Sequence, residues 1–169
     1  TLEQARARFG NKVLPVQYPI EQGPGFHRIV DALRMVMYVF SDEGGKPEKQ
    51  PIPESEIKRA QEMHNALVEA AAENDESLME IFFEEGTLSE EELAEGLRIA
   101  MAQHEVFPLF IASATRNMGS GRIMGFINDI APSPADRKPV VLENGGELAC
   151  AEKDDTTVFI FKTTSEPRV

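Results

Sequence analysis

The sequence predicts an α/β chain in which long acidic helices stand against a small sheet, followed by a strand–loop–helix unit of parallel-sheet type. Three observations predict it. Apolar residues recur at helical spacing over 54–84. Short apolar runs near Pro and Gly lie at 13–18 and 35–40. The apolar run 107–112 leads through a loop of small residues into another helical pattern. A chain of 169 residues, 41% hydrophobic and 27% charged, has the apolar material for one ordinary domain with a core.

The elements follow in order. Thr1 and Gln4 have capping-box spacing, Leu2, Ala5 and Phe9 form an apolar stripe, and Gly10 is a stop, which predicts a first helix. Residues 13–18 read as a strand in which Pro15 marks an edge or an irregularity. After a Gly-Pro-Gly turn at 23–25, residues 26–40 hold a short turn or helix and then a strand at 35–40. A turn at 41–46 leads to a short return strand near 49–53.

The strongest periodicity predicts a helix over 54–84, with a break near Asn74 allowed. At about 100° per residue, Met63, Leu67, Ala70, Ala71, Leu78, Ile81 and Phe82 gather on one side. Glu62, Glu69, Glu73, Glu76, Glu80 and Glu84 gather opposite, within an arc of about 80°. Lys58 and Arg59 precede this stripe, and no Lys or Arg follows before Arg98. Such a row is either a solvated face or a recognition surface for a basic partner.

Gly86 ends the pattern, and Ser89-Glu90-Glu91-Glu92 is a capping box for the next helix, which buries Leu93, Leu97, Ala100 and Met101 and ends near His104. Residues 107–112 read as a buried strand of a parallel sheet, 113–121 as a loop, and 122–131 as a short helix with Ile123, Met124, Ile127 and Ile130 inward. Pro132-Ser133-Pro134 breaks it. Residues 135–155 read as a linker and 156–162 as a strand without a sequence-near partner, the mark of a domain cut short.

Charge narrows the function. Seventeen basic against twenty-nine acidic residues, net −12, disfavour a nucleic-acid grip and suit a basic protein partner. No apolar run reaches the roughly 18 residues of a membrane span. The polar start is unlike a signal peptide, the missing initiator Met is what a fragment or processed product would show, and the single Cys150 makes a cytoplasmic compartment the expectation. His27, His64 and His104 lack metal-type spacing, so no metal site is expected, and Cys150 has no sequence-local base. No catalytic residue is assigned. Gly119-Ser120-Gly121 with Gly125 is one residue too long for a dinucleotide fingerprint, and no G-x-x-x-x-G-K-[ST] phosphate loop occurs. The small-residue loop after residue 112 is placed where open α/β sheets bind ligands, and Ser113 and Ala114 would let backbone N–H groups approach a ring oxygen.

Several stretches together resemble translation elongation factor G. They are Pro51-Ile52-Pro53-Glu54 opening the acidic helix, the run Leu67-Val68-Glu69-Ala70-Ala71-Ala72-Glu73-Asn74-Asp75-Glu76-Ser77-Leu78-Met79-Glu80, Leu88-Ser89-Glu90-Glu91-Glu92-Leu93, Ser113-Ala114 followed by Asn117 and Gly119, and Pro132-Ser133-Pro134-Ala135-Asp136. They keep the family's order and spacing over about 13–136, and residues 156–167 are similar to the first strand of its second domain. The resemblance implies an incomplete P-loop-type GTPase domain. Residues 1–12 and 105–135 would be the C-terminal part of the GTP-binding domain, 13–104 its inserted G-prime subdomain, and 136–169 a linker and the first strand of a β-barrel domain.

It further implies a parent protein that binds GTP with Mg and drives ribosomal translocation, while this segment alone is not catalytic and needs no cofactor. Ser113 and Ala114 inherit a guanine contact. Glu69, Glu73 and Glu76, flanked by Glu62 and Glu80, inherit contact with the ribosomal stalk protein, with no direct nucleic-acid or membrane contact. Ala112, Thr115-Arg116 and Ser120-Gly121-Arg122 depart from the family's usual loop, which leaves open a divergent paralogue or a related ribosome-acting GTPase such as a tetracycline ribosome-protection protein. A stand-alone acidic adaptor is the alternative from another class.

Overall fold

The computed structural model describes residues 2–23, 25–151, 153, 156–158, 160, 162 and 163. Its contacts divide the chain into a first unit ending at Pro132 and a second beginning at Ser133. Among the described residues the fold is mixed α/β, with small sheets and five α-helices.

In the first unit, helix α1 spans Leu2–Phe9; Thr1, its expected cap, lies outside the described residues. Strand β1 (Val13–Pro15) pairs in parallel with β6 (Phe107–Leu109), Val13 opposite Phe107. The chain then breaks at Val16 and continues as β2 (Gln17–Pro19) in a different sheet. The single strand expected over 13–18 is thus two strands, and the irregularity flagged by Pro15 is a change of sheet.

The second sheet is an antiparallel ladder in the order β2, β3 (Arg28–Asp31), β4 (Val36–Val39), β5 (Glu48–Gln50). Residues 26–40 are therefore a hairpin with a turn at 32–35, not a turn or helix before one strand. The pattern hid this because Ile29 to Leu33 is apolar except for Asp31, and all five are buried, so alternation is lost.

One face of this sheet, carrying Tyr18, Val30 and Met37, packs on Ala60 of α2 (Glu54–Ala72). The other face carries Ile29 and Tyr38 and packs with Phe40 on Met118, which is fully buried. The alternation of Ile29 and Val30 to opposite faces follows from the two-residue repeat of a strand.

The expected helix over 54–84 is two helices, α2 and α3 (Glu76–Glu85). Asp75 caps α3 by accepting hydrogen bonds from the N–H groups of Ser77 and Leu78, at 3.0 and 3.1 Å. Gly86 closes it in the left-handed conformation, φ 73°. Helix α4 (Glu90–Ala102) begins with the expected capping box, in which the Glu92 side chain accepts from Ser89 N–H at 2.8 Å. Hydrogen bonding to the Ser89 side chain and backbone lowers the Glu92 pKa.

The main core joins α2, α3 and α4 through Leu67, Ala71, Leu78, Leu93, Leu97 and Ala100, with Phe126 and Ile130 at α5 (Ser120–Asp129) and its C-cap. Gly96 sits at the α2–α4 crossing, where a Cβ would lie 2.7 Å from the Ala71 carbonyl oxygen. In α5 the expected inward set is corrected. Ile130 is buried, but Met124 and Ile127 are 64% and 52% exposed, because Phe126 supplies the inward face instead. Strand β6 is shorter than the apolar run 107–112 and only half-buried.

In the second unit, Ser133 caps a short 3₁₀ turn, Pro134–Asp136. The linker expected over 135–155 holds a small hairpin, β7 (Val140–Val141) with β8 (Glu147–Leu148). The expected strand at 156–162 lies partly outside the described residues, and 156–158, 160 and 162 belong to no strand.

Candidate functional site

Two places carry the residues singled out by sequence, and the antiparallel sheet lies between them: α2 packs on one face and the 113–118 loop on the other. The first place is the acidic face of α2 and α3. Glu62, Glu69, Glu73, Glu76 and Glu80 are all exposed. Glu62 faces Lys58 at 4.0 Å, both side chains being largely in solvent, and the other four have no ion pair among the described residues. The break at 73–75 splits the row, with Glu62 and Glu69 in α2, Glu73 at its C-cap, and Glu76 and Glu80 in α3.

The arrangement costs local stability. Glu69 and Glu73, like Glu76 and Glu80, stand four residues apart, a spacing at which like charges repel by about 0.2–0.5 kcal/mol. The last turns of α2 and α3 carry no basic residue, although a helix C-terminus favours cations.

The second place is the loop after β6. Ser113 and Met118 exchange backbone hydrogen bonds, each 3.0 Å, and Asn117 N–H closes a turn on the Ala114 carbonyl at 3.2 Å. Asn117 adopts a left-handed φ of 46°. Ala114 is exposed, and its N–H makes no hydrogen bond among the described residues. Gly119, φ 80°, is the N-cap of α5; a Cβ there would lie 2.5 Å from the Ile111 carbonyl oxygen, so the position requires glycine.

The loop is fastened to the sheet. Arg116 donates to the carbonyls of Phe26 (3.1 Å) and Asp42 (3.3 Å), Gly45 N–H donates to the Asn117 carbonyl at 3.1 Å, and Gly44 leaves no room for a Cβ against the Arg116 carbonyl. Behind it lies a polar knot that sequence reasoning missed. Asp31, fully buried, accepts from Arg122 Nε at 2.6 Å, from Gln17 Nε2 at 3.0 Å and from Arg34 N–H at 3.0 Å. Gln17 in turn accepts from Ile111 N–H at 3.5 Å. Ile111 and Arg122 flank the loop, so both of its ends are held. The available signal was Asp31 itself, a lone charge inside an apolar run.

His64, expected to pack at a helix margin, has Nδ1 2.9 Å from the Ala32 carbonyl. That geometry requires a proton on Nδ1. Among the described residues no group of acidic, His and Cys side chains could hold a metal, and Cys150 is exposed. No helix among them is long and apolar enough to cross a membrane.

No family model matches the chain. Its fold is similar to that of the crystal structure of ttk003000868 from Thermus thermophilus, with a TM-score of 0.68 and 26% identity. The match covers 80% of this chain and 20% of that one, so the chain spans about a fifth of that protein's length.

Proposed function

We propose that the chain is part of a translational GTPase of the elongation factor G kind. In this reading α2 and α3 present an acidic face to a basic surface of the ribosomal stalk protein, and Ala114 N–H contacts guanine. The observation that carries the reading is the row of exposed glutamates, four of the five without an ion pair among the described residues. A face kept only for solubility would lose nothing by alternating Lys with Glu, and would gain from a cation in each last turn. Retaining that electrostatic cost is what a surface selected for a positive partner does. The Ser113–Met118 turn supports the nucleotide role, since it encloses the exposed Ala114, whose N–H has no partner among the described residues.

The test uses the full-length protein containing this segment, with Glu69, Glu73 and Glu76 each changed to Lys. Association with the isolated stalk protein, followed by stopped flow at low salt, should slow by about tenfold or more. The difference should shrink as ionic strength rises past about 0.15 M, where charges more than about 8 Å apart are screened. An unchanged association rate would remove the recognition role.

A further inference from the structure

A cavity of about 440 Å³ is lined by the sheet residues Gln17, Ile29 and Tyr38 and by the 117–122 segment, and Ser113 and Ala114 are not among its lining residues. In a chain with far more acids than bases, the charged residues lining it are, among the described residues, Lys46 and Arg122, with no acidic residue among them. The N-cap and first turn of α5 form part of its wall through Gly119, Ser120 and Gly121. Gly119 provides no side-chain cap, and the first bonded N–H groups of the helix are those of Arg122 and Ile123, both on the Gly119 carbonyl. The N–H groups of Ser120 and Gly121 therefore have no partner among the described residues. Two side chains supply independent signs. Tyr38 is 8% exposed and lines the cavity, yet its hydroxyl has no hydrogen-bond partner among the described residues. Arg122 Nη2 is buried and likewise lacks one. Leaving Arg122 Nη2 buried without a partner costs about 1–3 kcal/mol, while the Tyr38 hydroxyl keeps solvent access and is open to a ligand oxygen. Ile29, Phe40 and Pro47 give the cavity an apolar wall.

We propose that this cavity binds a small organic anion. Its phosphate or carboxylate group sits on the Ser120 and Gly121 N–H groups and the Tyr38 hydroxyl, and its apolar body lies against Ile29 and Phe40. A helix N-terminus favours negative charge. Lys46 at the same wall adds attraction, while Arg122 keeps Asp31 neutralised behind it. The volume is in the range of small-molecule sites, about 300–1,000 Å³. The proposal is independent of the GTPase reading.

Titration of the 169-residue chain with phenyl phosphate and, separately, benzoate, read by amide NMR, tests it. At least one probe should give saturable shifts at Ser120 and Gly121 below about 10 mM. Tyr38→Phe and Lys46→Gln should each weaken that binding about fivefold or more, while leaving the α2–α4 amide shifts in place. Phenyl phosphate against benzoate assigns the head group. Failure of both probes to bind the folded chain overturns the proposal, as does binding that neither substitution weakens. Lys46 lies outside the buried core, so Lys46→Gln remains informative if the Tyr38 variant does not fold.

Discussion

At the scale of single residues, environment decides what a charge is worth. Asp31 and Asp129 both pair with arginine, Asp31 with Arg122 at 2.6 Å and Asp129 with Arg34 at 3.3 Å. Asp31 is wholly buried and Arg122 nearly so, whereas Arg34 and Asp129 are almost half in solvent. Removing one partner of a buried pair strands the other charge, whose desolvation is no longer offset. Asp31→Ala should therefore destabilise the chain by about 3 kcal/mol in urea unfolding, against less than about 1 kcal/mol for Asp129→Ala. Equal effects would show that Arg122 finds water once Asp31 is gone. The sequence pointed to Glu62, Glu69, Glu73, Glu76 and Glu80 as exposed, and they are, because helical periodicity carries that information directly. Gln17, Tyr38 and Arg122 gave no such sign: what distinguishes Gln17 and Arg122 is a shared partner, Asp31, 14 and 91 residues away along the chain, which no local pattern encodes.

At the scale of elements, the helices were legible and the short strands were not. Capping boxes and glycine stops are local chemistry, so Ser89 and Gly86 fall where the sequence put them. The break at 73–75 was legible only as an allowance, since Asp75 declares itself as a cap once its side chain is seen on the N–H groups of Ser77 and Leu78. Strand β3 and the β7–β8 hairpin were missed because strands of two to four residues are too short to set a period. Gly96 shows the same limit inside a helix. By propensity alone, Gly96→Ala would gain about 1 kcal/mol. Its new methyl would meet the backbone oxygen and Cβ of Ala71 and a methyl of Leu78 within 2.9 Å, and backbone oxygen does not yield as a side-chain tip does. The packing term wins, and the substitution should lower stability by about 1–2 kcal/mol in urea unfolding. A gain would mean that α2 and α4 separate easily and that the crossing does not fix the orientation of the acidic helix.

At the scale of the whole molecule, the α/β class was legible because helical and strand periods both occur, but the sheet that organises the first unit was not, since its order depends on pairings between β2, β3, β4 and β5 rather than on any one of them. That sheet has the α2 helix on one face and the 113–118 loop on the other, so the two functions proposed for the chain occupy opposite sides of one small scaffold. Their chemistry also differs in kind. In the proposed reading the acidic face would work by charge over a distance, whereas the loop would offer a base edge one N–H, that of Ala114, which makes no hydrogen bond among the described residues. One hydrogen bond of that type contributes about 0.5–1.5 kcal/mol, far short of the roughly 8 kcal/mol of a micromolar complex. The sequence holds no phosphate-loop motif to supply the remainder. GTP should accordingly bind the 169-residue chain more weakly than about 1 mM in calorimetry. Any weak association abolished by Lys46→Gln would belong to the Tyr38 cavity and not to Ala114. Micromolar binding that survives Lys46→Gln would mean that these residues form a complete nucleotide site, and the chain could then no longer be read as one contact loop of a larger GTPase.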